Sequence, residues 1–171
     1  NLQATAALAE AADVADRIAY AVDELDRVIK ELRNYIFDLR SQLSARQLDD
    51  ALRHLASDFQ ERSGVLTIVE VDVEIAADLQ DNASEIVQLT REALSNVARH
   101  AQATSCRVSL YRQDGTTLLE VDDDGVGFDP KVRGQGFGLD NLRKRAGLLG
   151  GDVELRSTPE SGTCIRVLLP R

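Results

Sequence analysis

The most persistent pattern in the chain is a heptad. Apolar residues run Ile18, Val22, Leu25, Ile29, Leu32, Ile36, Leu39 and Leu43, in steps that alternate between four and three. Residues spaced in this way line one seam of a helix, and a long seam is buried between helices. A second stripe, Val14, Ala21, Val28 and Tyr35, falls beside the first. That width suits a helical bundle better than a two-stranded coil. The bland alternative is a single amphipathic helix lying on its own domain, but it accounts less well for so long a heptad without polar intrusion. The Ala-rich residues 2–12 read as the tail of an earlier helix, with a turn between Glu10 and Asp13.

After Ser44 the period changes. Ser44 can cap a helix over residues 45–62, which Gly64 would end. Residues 65–75 alternate, with Val65, Thr67, Val69, Val71 and Val73 set against Glu70, Asp72 and Glu74, the signature of a half-buried strand. Asp81 and Asn82 are cap candidates for a helix over 83–101, in which Ile86, Leu89, Ala93 and Val97 share a face. Strands are predicted over 107–111 and 117–121, joined as a hairpin through Gln113, Asp114 and Gly115. A Gly-rich stretch from Asp123 to Gly138 precedes a helix over 139–149 that ends at Gly150 and Gly151. Strands over 152–156 and 163–169 form a second hairpin. The expectation is a helical region, residues 1–43, followed by an α+β unit, residues 44–171: a two-layer sandwich with helices on one face of a mixed sheet.

Composition narrows the partners. Of the 171 residues 43% are hydrophobic but only 4% aromatic, so the core must be aliphatic. A net charge of −9 repels a phosphate backbone, which argues against nucleic acid. Cys106 and Cys164 lie in strand-like segments and read as reduced core thiols, and the cysteines and histidines have no zinc-ligand spacing. No apolar run would span a membrane and no signal peptide is visible, so cytoplasm is the expected compartment. The chain starts at Asn1, not Met, and is expected to be part of a longer protein.

Three clusters carry candidate chemistry. In REALSNVARHA, Glu92 and Asn96 share a helical face, with Arg99 and His100 a turn further on. An amide oxygen is a hard ligand that suits Mg²⁺, and Arg suits phosphate. Taken alone, the cluster is more simply a solvated polar face. In Asp122-Asp123-Asp124-Gly125-Val126-Gly127 a strand runs into carboxylates and glycines. A strand-end carboxylate can accept from an exocyclic amine such as adenine's, and glycines permit close approach to a ligand. The plain reading is an acidic turn; a calcium loop is disfavoured because its terminal glutamate is missing. In Gly134-Gln135-Gly136-Phe137-Gly138-Leu139, glycines open a helix and create an anion site. There is no P-loop, and these glycines come too late for a dinucleotide fingerprint.

Together and in this order, the clusters resemble the GHKL ATP-binding superfamily of histidine kinases and gyrase-type ATPases. The matching motifs are Glu92 to Asn96 (N box), Asp123-x-Gly125-x-Gly127 (G1), Gly136-x-Gly138-Leu139 (G2) and Gly162-Thr163 before the last strand. NVARHAQAT, DDGVGFD, GFGLDNLRKRAGLLGG and SGTCIRVLLP are similar to the nitrate-sensor and desaturase-sensor branch of the sensor histidine kinases. The resemblance implies a Bergerat-type fold and an ATP-dependent protein histidine kinase. It implies that Asp123 hydrogen-bonds adenine, Asn96 holds Mg²⁺, and Arg99 and His100 touch phosphate or ribose. Gly125, Gly127, Gly136, Gly138 and Leu139 would shape the nucleotide loops, Thr163 would lie near adenine, and Glu92 would position or polarise the Mg²⁺ water. It also implies a homodimer through the N-terminal helices, a response regulator as partner, and a phospho-accepting histidine on a helix before Asn1. His54 is not followed by an acidic residue and His100 belongs to the nucleotide site, so neither fits the acceptor. The rival readings are an ATPase that uses water with Glu92 as base, and a non-catalytic dimeric scaffold.

Overall fold

The computed structural model describes residues 48–130 and 137–170. The heptad region and the cap at Ser44 lie outside the described residues, as do Gly134 and Gly136. Five strands and four α-helices follow in the order α1 (Leu48–Ser63), β1 (Leu66–Val71), α2 (Val73–Asp78), α3 (Ala83–Asn96), β2 (Ser105–Gln113), β3 (Thr116–Asp123), α4 (Phe137–Leu148), β4 (Asp152–Ser157) and β5 (Thr163–Leu169). The sheet order is β1-β2-β3-β5-β4; β1 and β2 are parallel and the other neighbours antiparallel.

The sheet has one dry face. Val108, Leu110, Leu119, Val121, Ile165 and Val167 are buried on one face of the sheet, and Leu52, Ile86, Leu89 and Leu142 are buried residues of the helices. Alternation along each strand puts Glu120, Asp122 and Arg166 on the opposite face, where Arg166 pairs with Glu120. The expected two-layer mixed-sheet architecture is therefore present. The β2–β3 turn takes the primed geometry that suits a two-residue hairpin, with φ of 51° at Asp114 and 80° at Gly115.

Two expected elements differ. The strand predicted over 65–75 ends at Val71, because the Asp72 carboxylate accepts from the backbone N–H groups of Glu74 and Ile75 and so caps α2. Ile75 and Ala76 are then buried as helix residues. The helix predicted over 83–101 is α-helical only to Asn96. Val97–Ala101 form a single π turn, closed by Gln102 at a left-handed φ of 51°. Asn82 flanks α3 without a side-chain capping bond. As for the thiols, Cys106 is buried, whereas Cys164 is half-buried on the polar face of the sheet; both are free.

As an edge strand, β1 directs alternate backbone groups away from the sheet. The Thr67 N–H donates to Gln60 Oε1 at 2.8 Å, and the Arg53 guanidinium reaches the Val69 carbonyl at 3.4 Å. Both side chains come from α1. Among the described residues, no helix is long and apolar enough to cross a membrane.

Candidate nucleotide site

The site is built where the C-terminal end of β3, the start of β5 and the π turn come together. Strand parity decides which of three consecutive aspartates faces inward. Asp123 is in phase with Leu119 and Val121 and is only 8% exposed, whereas Asp122 and Asp124 are exposed. Burial pushes the Asp123 carboxyl above the usual carboxylate range, against the opposing pull of backbone N–H groups from Gly125 and Thr163. Oδ1 accepts from the Gly125 N–H at 2.9 Å. A carboxylate offers about four acceptor positions, so capacity remains for a ligand donor. Thr163 is the register partner of Asp123 across the β3–β5 ladder.

The glycines are there because backbone passes against backbone. A methyl group on Gly125 would lie 2.2 Å from the Ala101 carbonyl oxygen. On Gly127, with φ of 57°, it would lie 2.1 Å from the Thr158 oxygen. Gly162, with φ of 71°, has no more room, since its Cβ would meet the Asp123 carbonyl. Ser157 ties this junction together, accepting from the Phe128 N–H and donating to the Gly162 carbonyl, each at 2.9 Å.

Glu92 and Asn96 lie one turn apart on α3, both half-buried, and Arg99 and His100 are exposed on the π turn. A π turn closes through i→i+5 bonds. Arg99 and His100 are therefore displaced around the axis from where a straight helix would carry them. None of the four makes a side-chain hydrogen bond or ion pair to another described residue. The π turn ends at Ala101, which touches Gly125, so the structure joins the segment bearing Arg99 and His100 to Asp123, Gly125, Gly127 and Thr163 at one end of the sheet. Gly138 and Leu139 open α4, with Leu139 half-buried; Gly136 lies outside the described residues.

The roles of Asp124 and Ser157 are not marked in the sequence. Asp124 accepts from the Thr104 and Ser105 N–H groups at 2.8 and 2.9 Å, and from their hydroxyls at 2.6 and 3.0 Å. Those bonds hold its carboxyl well below the usual range. No local signal marks a pairing twenty residues apart. The choice of Asp123 over its neighbours, however, was available from the parity of Leu119 and Val121.

Residues 81–171 match the family described as histidine kinase-, DNA gyrase B-, and HSP90-like ATPase, and the chain belongs to that family. Its relatives are more particular. The chain is 33% identical over 144 residues to the sensor protein VraS of Staphylococcus epidermidis, a match that covers 82% of this chain and 40% of that protein. The fold is shared with the histidine kinase domain of the Erythrobacter litoralis EL346 blue-light activated histidine kinase, at TM-score 0.58 and 21% identity over 74% of this chain and 65% of that one. It is shared also with the Acinetobacter baumannii histidine kinase AdeS, at TM-score 0.61 and 14% identity over 87% of this chain and 79% of that one. The chain thus carries an ATPase-family domain that resembles a sensor protein in sequence and histidine kinases in fold. It spans about two fifths of the length of the curated relatives it matches.

Proposed function

We propose that the chain binds Mg-ATP at the β3–β5–π-turn junction and transfers the γ-phosphate to a histidine nitrogen of a sensor kinase, for relay to a response regulator. The observation that carries this reading is the inward-facing, partly satisfied carboxylate of Asp123, set between Gly125 and Thr163 and joined to the segment that bears Arg99 and His100.

Asp123 accepts from the adenine amine, with Thr163 beside it. Asn96 would supply a hard oxygen to Mg²⁺, and Glu92 would position or polarise a water there. Among the described residues, no three His, Cys, Asp or Glu side chains converge on a metal position. When bound, the ion supplies charge neutralisation at the phosphates. Arg99 and His100 meet phosphate or ribose, while Gly125, Gly127, Gly136, Gly138 and Leu139 shape the loops. With the nucleotide so held, positioning and electrostatics do most of the work of an in-line transfer.

The acceptor is a histidine of a dimerisation helix, and neither histidine of this chain has that role. His54 is exposed on α1, and His100 lies in the π turn. Residues 1–43 form the dimerisation region of a homodimer, residues 44–171 the ATP-binding unit, and the motif wording favours the nitrate-sensor and desaturase-sensor branch. Cytoplasmic placement follows from the need for ATP.

Calorimetry with Mg-ATP tests binding, and labelled ATP with a separately supplied acceptor helix tests transfer. Acid-labile, base-stable phosphate on that helix is the expected product. A folded protein that binds no nucleotide at millimolar concentration sinks the reading. Turnover with no phosphoprotein would favour an ATPase instead.

A further inference from the structure

Asp124 is exposed and has no place in the core, yet both its carboxylate oxygens are taken. Oδ1 accepts from the N–H groups of Thr104 and Ser105, and Oδ2 from their hydroxyls. The backbone repeats the attachment: the Asp124 N–H donates to the Ser105 carbonyl at 3.2 Å and the Val126 N–H to the Ala101 carbonyl at 2.8 Å. Residues 124–126 are thus laced along 101–105, the chain that leaves the π turn. On the other side, Gly162 has no room for a side chain against the Asp123 carbonyl or the Asp124 Cα. Asp123 stands at the edge of this clamp.

We infer that Asp124 is a positioning residue for base recognition. By pinning the loop to Thr104 and Ser105 it holds the Asp123 carboxylate at the one place where an exocyclic amine can donate to it. The inference rests on the nucleotide reading above and goes beyond it. Asp124 touches no ligand, and its effect runs wholly through Asp123. The depressed ionisation of Asp124 is consistent with a carboxylate that stays charged and keeps all four bonds.

A merely structural residue would weaken every nucleotide alike. A positioning residue for Asp123 should alter the choice between ADP and inosine diphosphate, which carries a carbonyl where adenine has its amine. Calorimetry on the full chain compares the two ligands. Wild type should prefer ADP. Asp124→Ala should narrow that preference roughly three- to tenfold, the scale of one net hydrogen bond, with little change for inosine diphosphate. Asp124→Asn keeps an oxygen for both backbone N–H groups and should retain most of the preference. An Asp124→Ala protein that is folded by circular dichroism and keeps the wild-type preference overturns the inference. If that variant does not fold, the pair Thr104→Ala and Ser105→Ala removes the hydroxyls on Oδ2 and carries the same test: a narrowed preference supports the role and an unchanged one overturns it. Wild type that binds neither ligand refutes the nucleotide reading itself, a separate failure. Wild type that binds both equally leaves nucleotide binding standing but overturns base recognition by Asp123 and the Asp124 role with it.

Discussion

Gly125→Ala would place a methyl carbon 2.2 Å from the Ala101 carbonyl oxygen and 2.8 Å from its carbonyl carbon. Ordinary contact at such a carbon begins near 3.4 Å, so the loop or the end of the π turn must move by about an ångström. Neither is a flexible side-chain tip; both are backbone. Overpacking of this kind costs about 1–3 kcal/mol. The shift also strains the bonds that flank Gly125, from the Val126 N–H to Ala101 and from the Asp124 N–H to Ser105, each worth about 1 kcal/mol net. The expected loss is about 2–5 kcal/mol, a fall in Tm on the order of 10 °C for a domain of this size. The matched control is Gly147→Ala. Gly147 lies on α4 with nothing within 4 Å of the added carbon. There alanine should be neutral or add up to about 1 kcal/mol. Differential scanning calorimetry of wild type and both variants decides the matter. If Gly125→Ala melts with wild type, the loop is not held against the π turn, and the account of the site's rigidity is wrong.

Other expectations follow from the same geometry. Asp123→Asn should weaken ADP roughly tenfold in a calorimetric titration, while Asp122→Asn, on the opposite face of the sheet, should not; equal losses would mean that the wrong aspartate carries the base contact. Acid stability should also respond to Asp124. Its folded-state ionisation is depressed, so its contribution is present above the ordinary aspartate value and is lost as pH falls toward the folded value. Melting temperature should therefore drop less steeply below about pH 4 in Asp124→Asn than in wild type, and parallel curves would refute the assignment. Asp123, raised by burial, acts in the opposite sense, since its ionisation costs stability as pH rises. If the heptad over residues 18–43 makes the proposed dimer, where burying a Leu would be worth about 1.5–3 kcal/mol, Leu32→Asp should yield a nucleotide-binding monomer by sedimentation. A wild-type monomer at high concentration would end the bundle proposal.

Much of this fold is legible because its strands obey parity. The β4–β5 hairpin could be bounded almost to the residue, and the turn at Asp114 and Gly115 announces its own backbone conformation. Pattern and structure part where a single polar residue changes allegiance. Asp72 fits the solvent phase of an alternating strand, yet its carboxylate is worth more as a helix cap, and the VEIAAD segment that follows is content as helix. The π turn has no local signature either. Ala98, Arg99 and His100 would extend an α-helix, and the extra residue is accommodated where Val97 and Ala101 are buried. The candidate site was legible as residue types in order. Parity separates Asp123 from its two neighbours, but the clamp made by Asp124 is not legible in the chain, because it depends on Thr104, Ser105 and Gly162.

The attention that α1 gives to β1 has a consequence for life at high local concentration. An open sheet edge is a template on which another chain can lay a strand, and the exposed Leu66 and Ile68 would make β1 an inviting one. Gln60 and Arg53 occupy outward-facing backbone groups at Thr67 and Val69, so an incoming strand would have to displace side chains already bonded there. Two copies drawn together through some other surface are thereby discouraged from fusing their sheets into a continuous ribbon, and association can remain reversible.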